Sequence, residues 1–115
     1  MRRVLLSALL IASVAACTES SLAPLPLEIT IEPSRTSAAP GDTIAFVVTA
    51  QGGTLLGFDV DYGDNVAEQY GTAGARTAKV TFRHAYNTRG SYQVKAMITD
   101  GFAGEKSANV EIRIN

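Results

Sequence analysis

The segment GSYQVKAMITD at residues 90–100 decides the fold of this 115-residue chain. Its apolar side chains recur at every second position, which places them on one face of a β-strand. They are Tyr92, Val94, Ala96 and Ile98, and they alternate with Gln93, Lys95 and Thr99. The segment therefore predicts a strand with one buried face.

The same alternation continues on both sides of this strand. Upstream and downstream apolar sets with period two are Leu27/Ile29/Ile31, Ile44/Phe46/Val48, Phe58/Val60/Tyr62, Val80/Phe82 and Val110/Ile112/Ile114. Turn-forming residues separate these sets at Pro40-Gly41-Asp42 and at Gln51-Gly52-Gly53. No segment after residue 17 has the apolar spacing of a helix. Short strands at this spacing predict an all-β, antiparallel, immunoglobulin-like sandwich of about seven strands over residues 27–115.

Charge and cysteine content argue against a nucleic-acid partner and exclude an intrachain disulfide. The chain has 10 Lys and Arg against 11 Asp and Glu, for a formal net charge of −1. It has no basic stripe of the kind that nucleic-acid binders use to contact phosphates, so nucleic acid is not an expected partner. The chain contains 1 cysteine, which excludes an intrachain disulfide.

The first residues predict export and lipidation. Arg2 and Arg3 precede an apolar run, residues 4–16, that is too short to span a bilayer but fits a secretory signal. The run ends in Val14-Ala15-Ala16-Cys17, which resembles the bacterial lipobox. Residues 1–16 are thus predicted to be a lipoprotein signal peptide, with Cys17 as the lipidation site. The alternative is an ordinary secretory signal with a free cysteine near its end.

The residues after Cys17 predict a tether at a membrane. Residues 17–26 comprise the lipidated cysteine and a polar segment with two prolines, which disfavours regular structure. Thr18 stands where aspartate would indicate inner-membrane retention. We therefore expect a bacterial cell-envelope location, at the outer membrane (on its periplasmic or surface face) if the cell has two membranes. The lipid on Cys17 is the expected membrane contact.

Two motifs resemble the polycystic-kidney-disease (PKD) module. Val60-Asp61-Tyr62-Gly63-Asp64-Asn65 is similar to the family's Trp-Asp-Phe-Gly-Asp-Gly turn, with valine replacing tryptophan and asparagine replacing the last glycine. His84-Ala85-Tyr86, then Gly90-Ser91-Tyr92-Gln93-Val94 and Asp100, resembles the family's second motif. The resemblance implies an immunoglobulin-like sandwich found in cell-surface and secreted proteins. The motif residues that it marks as structural are Asp61, Gly63, Asp64, His84, Tyr86, Gly90, Tyr92 and Asp100.

The residue types in these motifs have physical roles of their own. Gly63 permits the positive φ of a tight turn, and Asp61 and Asp64 are placed to accept backbone N–H bonds. Tyr86 or Tyr92 is expected to bury its ring while its hydroxyl holds a neighbouring loop.

Three acidic residues and the histidine are the candidate ligand sites. Asp59, Asp61 and Asp64 form a calcium candidate because calcium prefers several oxygen ligands, although the loop does not follow the EF-hand pattern. The preferred interpretation is that Asp61 and Asp64 hold the turn and Asp59 is solvated. His84 has no second histidine, and no cysteine in the mature domain, with which to form a zinc site, so a structural hydrogen bond is expected.

Two surfaces are candidates for partner contact. Residues 71–76, Gly-Thr-Ala-Gly-Ala-Arg, form a run rich in small residues that predicts a loop, either a contact site or a mobile connection. Leu55, Leu56 and Met97 are candidates for an exposed apolar patch, although singly exposed apolar residues are common.

The favoured function is a non-catalytic, envelope-anchored module without a cofactor. It would bind an envelope or extracellular protein or a polysaccharide. The alternative is a structural spacer or accessory subunit of an envelope assembly with no ligand of its own, because a fold does not fix a function.

Overall fold

The computed structural model describes residues 25–115, and every regular element in that range is a strand. The strands are β1 (Glu28–Pro33), β2 (Ser37–Ala38), β3 (Thr43–Asp61), β4 (Ala67–Ala85), β5 (Gly90–Asp100) and β6 (Gly104–Ile114). Within these residues no helix is long and apolar enough to cross a membrane. The predicted signal peptide, Cys17 and most of the predicted tether lie outside the described residues.

A long folded hairpin, β3–β4, organises the domain. Its two strands pair antiparallel from Thr43 opposite Ala85 to Asp61 opposite Ala67. The register is irregular between Gln51 and Gly57, where β-bulges bend both strands. The first half of β3 also pairs with β1, and the second half also pairs with β5. The bend therefore carries the hairpin from one layer of the domain into the other.

The two layers close on a common core. β6 pairs antiparallel with β5 and, at its end, parallel with β2, while β1 also packs against β5 and β6 without pairing with them. Rings from the two halves of the hairpin meet across the layers: Phe46 lies 5.8 Å from Tyr62, and Phe58 lies 6.2 Å from Phe82, between centroids. Burying a large apolar side chain contributes about 1.5–3 kcal/mol, so this core is the main source of stability.

Most of the residues that period two placed on one face form the core, and the remaining ones pack against it half-buried: Leu27, Ile29, Ile31, Val80, Tyr92 and Val110. The buried apolar residues are Ile44, Phe46, Val48, Ala50, Leu55, Phe58, Val60, Tyr62, Phe82, Tyr86, Val94, Ala96, Ile98, Ile112 and Ile114. Val60 is fully buried where the family motif has tryptophan, and the surrounding phenylalanines and tyrosines supply the aromatic volume.

Six strands occur in the described residues, rather than the expected seven or so. The difference arises because Gln51-Gly52-Gly53 does not end a strand: β3 continues through it as a bulge. A Cβ at Gly52 would lie 2.8 Å from Asp100 Oδ1 and from Leu55 Cδ2, so the close approach at this bend requires glycine.

Two surface predictions were wrong. Residues 71–76 are not a loop but the middle of β4, because a bulge with positive φ at Ala73 (52°) and Gly74 (79°) takes up the irregular backbone while pairing to β3 continues on both sides. Leu55 does not contribute to an exposed patch, since the bend turns it into the core at 0% exposure.

Strand directions give the sandwich two distinct ends. One end, called the tether end, contains residues 25–28, 51–57, 71–77 and 99–104. The other, called the motif end, contains residues 34–42, 61–66, 86–91 and the C-terminal Asn115, whose N–H donates to the Ala38 carbonyl. The chain enters the domain at the tether end, and β6 finishes at the motif end.

Candidate functional site

The turn between β3 and β4 is held by its own aspartates. Asp61 Oδ1 accepts the Gly63 N–H at 2.9 Å, and Asp64 Oδ1 accepts the Val66 N–H at 3.3 Å. Gly63 has φ +85°, and a Cβ there would lie 2.6 Å from the Gln93 carbonyl oxygen. The turn therefore requires glycine at this position for its backbone angle and for its contact with β5.

His84 joins the end of β4 to this turn. Its Nε2 lies 2.6 Å from Asp64 Oδ2, and its ring stacks on Tyr62 at 4.0 Å with an interplanar angle of 7°. The Tyr86 ring packs edge-on against the histidine at a centroid distance of 4.7 Å. The histidine side chain is 12% exposed, so its contacts are those of a packed structural group.

The two motif tyrosines each hold a backbone carbonyl. The buried Tyr86 hydroxyl donates to the Tyr62 carbonyl at 2.8 Å, and the Tyr92 hydroxyl donates to the Thr88 carbonyl at 2.6 Å. The rings stack at 4.3 Å, beside Gly90, which opens β5 with φ +152°. Burial, followed by the negative charge of Asp64, raises the pKa of Tyr86 well above its usual range, so its hydroxyl remains a donor at physiological pH.

Tyr62 differs from these tyrosines in its hydroxyl. The ring is fully buried, and its oxygen has no hydrogen-bond partner among the described residues. Burial first, and then the nearby charge of Glu68, raise the pKa of Tyr62 far above its usual range. The group is therefore neutral and serves packing rather than acid–base chemistry.

Asp100 acts alone at the tether end. It is 4% exposed and accepts backbone N–H bonds from Thr54 at 2.6 Å, Phe102 at 2.9 Å and Ala103 at 2.8 Å. The amide of Ala103, followed by that of Thr54, lowers the pKa of the carboxyl group. The carboxylate thus joins the bend of β3 to the β5–β6 turn.

The structure separates the predicted site residues. Asp61, Gly63, Asp64, His84, Tyr86, Gly90 and Tyr92 lie together at the motif end, whereas Asp100 lies at the tether end. Asp59 lies in β3 between Gln69 of β4 and Met97 of β5. Residues 25–115 contain no group of three side chains placed to hold a metal ion, so the calcium candidates are not brought together.

A shallow depression of about 390 Å³ lies on the sheet formed by the second half of β3, β4 and β5. Gly57 lies opposite Gly71, which leaves the floor without side chains. Around it are Leu56, Phe58, Asp59, Gln69, Tyr70 and Thr99. The periodicity of the sequence could not predict this surface, because it depends on the register that places two glycines side by side.

The depression combines the groups that binding surfaces use. Leu56 is about half exposed, at 51%, and supplies apolar contact area, whereas Tyr70 pairs with the buried Phe58 and turns its ring to the opposite, core-facing side of the sheet. Asp59 and Gln69, cross-strand neighbours, supply a carboxylate and an amide. Such a surface suits a ligand that offers both hydrogen-bonding groups and apolar faces.

Comparison with known proteins agrees with this architecture. The family model of the PKD domain matches residues 28–114, and the chain belongs to that family. A search of curated proteins found no match.

Solved structures show the same fold. The PKD domain of an M14-like peptidase from a Thermoplasmatales archaeon has a TM-score of 0.64 and 21% identity, over 79% of this chain and 94% of that one. The PKD domain of the human VPS10 domain-containing receptor SorCS2 has a TM-score of 0.55 and 20% identity, over 91% of this chain and 87% of that one. The CARDB domain of a Pyrococcus furiosus protein, solved in complex with di-metal ions, has a TM-score of 0.54 and 12% identity, over 80% of this chain and 96% of that one. At these identities the likeness concerns the fold alone.

Proposed function

We propose that this protein is a non-catalytic binding module, anchored in the bacterial cell envelope by a lipid on Cys17, that recognises a protein or polysaccharide of the envelope or its surroundings. Membership of the PKD family, whose domains are typically interaction modules, supports the class of function. The lipobox-like sequence before Cys17 supports the anchor. The depression around Gly57 and Gly71 is the observation that carries the proposal.

The chemistry of the depression favours an extended partner. It is open and shallow, so a ligand lies across the sheet rather than inside an enclosed cavity. A carboxylate and an amide side by side on an open sheet face suit either the hydroxyls of a saccharide or the backbone of a peptide segment.

A pull-down with the lipid-anchored full chain tests this function. The bait is presented to solubilised envelope proteins and, separately, to purified wall polysaccharides. We expect saturable retention that Gln69→Ala and Asp59→Ala weaken. Thr49→Ala is the control, because Thr49 is an exposed β3 residue in the half that pairs with β1. Retention unaffected by the two depression variants would contradict the assignment of the site.

The spacer function has one structural observation in its favour. The described domain begins at the tether end and finishes at the motif end, so it can hold another component at one domain length from its attachment. This function predicts no retained partner in the same pull-down, and tolerance of substitutions throughout the depression.

A further inference from the structure

The two ends of the sandwich differ in charge. The tether end carries three charged residues, Glu28, Arg76 and Asp100, while its segments 25–27, 52–57, 71–75 and 101–104 contain no Asp, Glu, Lys or Arg. Asp100, which directly precedes one of these segments, is buried and bonded inward to backbone amides. The motif end, by contrast, carries Arg35, Asp42, Asp61, Asp64 and Arg89.

Phe102 projects from the tether end. It is 76% exposed, more than the other large apolar residues that are exposed in the described domain. Its backbone is fixed, because its own N–H donates to Asp100 Oδ2 and the Gly101 N–H donates to the Thr54 carbonyl at 2.8 Å. A rigid turn therefore presents an aromatic ring to the surroundings.

The predicted tether enters the domain beside this turn. A Cβ on Gly52 would lie 3.1 Å from Leu27 Cδ1 and 2.8 Å from Asp100 Oδ1, so the entering chain and the carboxylate that holds Phe102 flank the same glycine. Residues 18–26 separate the predicted lipidation site, Cys17, from Leu27. A segment of that length spans at most about 35 Å when fully extended, and less as a flexible chain.

We propose that the tether end faces the lipid bilayer and that Phe102 inserts its ring at the headgroup boundary. This orientation rests on the proposed lipidation of Cys17. An aromatic ring at the interface gains apolar contact, and the turn at residues 101–104 that presents it brings no charge to the lipid. The short tether keeps this end of the domain close to the bilayer, so the ring meets the lipid at a high effective concentration. A single ring, too weak to anchor the domain by itself, is then enough to orient it. The polar motif end then points away from the membrane, and the depression, which includes Gly57, Gly71 and Thr99 of the tether end, lies on the side of the domain close to the bilayer surface.

Single tryptophans measure the orientation directly, because the chain contains 0 Trp. Phe102→Trp reports on the tether end. Val66→Trp is the matched control, since Val66 is an exposed apolar residue, 43% accessible, at the motif end. Each lipidated full-length variant is reconstituted into phosphatidylethanolamine–phosphatidylglycerol vesicles that contain a lipid brominated near the headgroup end of its acyl chains. We expect the Phe102→Trp variant to show blue-shifted emission and to lose most of its intensity to the bromines, with unchanged emission from the Val66→Trp variant.

The outcomes separate the orientation from the anchor. Vesicle-bound Phe102→Trp that is no more quenched than vesicle-bound Val66→Trp would overturn the orientation and leave the anchor intact. Protein that does not co-float with vesicles, or that co-floats no better than a Cys17→Ser variant, would overturn the lipid anchor itself. A native melting curve for both tryptophan variants establishes that the comparison is made on folded protein.

Discussion

The motif end and the tether end both reverse the chain, but they do so with different means. At the motif end, a histidine, two aspartates and three tyrosines form a connected network around the β3–β4 turn. At the tether end, the carboxylate of Asp100 bridges two chain segments through backbone amides. The motif residues at both ends therefore encode the geometry of turns, through a network of side chains at one end and through a single carboxylate bonded to backbone amides at the other.

The largest expected effect is the loss of Gly63. Gly63→Ala places a methyl group 2.6 Å from the Gln93 carbonyl oxygen at a φ of +85°, so either the turn or β5 must move. We expect a loss of about 3 kcal/mol in the free energy of unfolding, measured by urea denaturation.

Gly41→Ala is the control for that variant. Gly41 has a similar φ, +90°, but a Cβ there would meet nothing within 4 Å. We expect Gly41→Ala to lose only about 1 kcal/mol in the free energy of unfolding, which is the cost of holding alanine at a positive φ. Equal losses for the two variants would show that the contact with Gln93 does not matter.

The next effect tests Asp100, the buried carboxylate of the tether end. Asp100→Asn keeps one acceptor oxygen but turns an N–H₂ group toward amides that need an acceptor. We expect a melting temperature that is lower by several degrees at neutral pH, by scanning calorimetry. Thr99→Ser is a mild neighbouring control, since Thr99 is half-buried and outside this set of bonds.

The Asp100 effect should depend on pH in a defined direction. Because the amides of Ala103 and Thr54 lower its pKa below the ordinary value of 3.8, the folded state holds the proton less tightly than the unfolded state. The stabilisation is present above about pH 3.8 and is lost as the pH falls through the lower folded pKa. The gap in melting temperature between wild type and Asp100→Asn should thus narrow in acid. A gap that widens below pH 3.8 would contradict this role.

A smaller effect distinguishes the two tyrosine hydroxyls of the motif end. Tyr86→Phe leaves the Tyr62 carbonyl without its buried donor, and we expect a loss of about 1–3 kcal/mol in urea denaturation. Tyr92→Phe removes an exposed bond to Thr88, which water replaces, so its loss should stay below about 1 kcal/mol. A larger loss for Tyr92→Phe than for Tyr86→Phe would show that the bond to the Thr88 carbonyl contributes more to stability than the bond to the Tyr62 carbonyl.

The smallest effect compares the two non-glycine residues with positive φ. Ala73 lies at the tether end with φ 52°, and Asn65 lies in the motif turn with φ 69°. Ala73→Gly should gain about 0.5 kcal/mol, because relief of the strained angle exceeds the entropy cost of glycine. Asn65→Gly should be nearly neutral, since asparagine tolerates this region. Chemical denaturation of both variants under identical conditions provides the comparison.

The sequence predicts the core and the all-β fold because period two is a local property. Val94, Ala96 and Ile98 are buried as their alternation requires. The sequence does not predict the bend of the hairpin, because Gly52, Gly53, Gly71 and Gly74 are equally consistent with loops. Only the pairing of β3 with β4 shows that both strands continue through these glycines.

The site shows the same limit. The resemblance to the PKD motifs identifies Asp64 and His84 as structural, but their 2.6 Å contact joins the hairpin turn to the far end of β4, which only the folded chain brings together. The depression around Gly57 and Gly71 has no sequence signal of its own, since a one-residue change of register would remove it.

The parallel pairing of β2 with β6 has a consequence for the order of folding. Ser37, near the start of the domain, pairs with Arg113 at its end, so this closure brings together residues that are far apart in the chain. Contacts between residues so far apart in the chain form late, because closing the loop between them costs conformational entropy before the contact adds any stability. During synthesis, the domain cannot reach its native state until its last strand has emerged. Truncation before Ile112 removes the buried Ile112 and Ile114 and the pairing with β2, and it should therefore leave a chain that does not complete its fold.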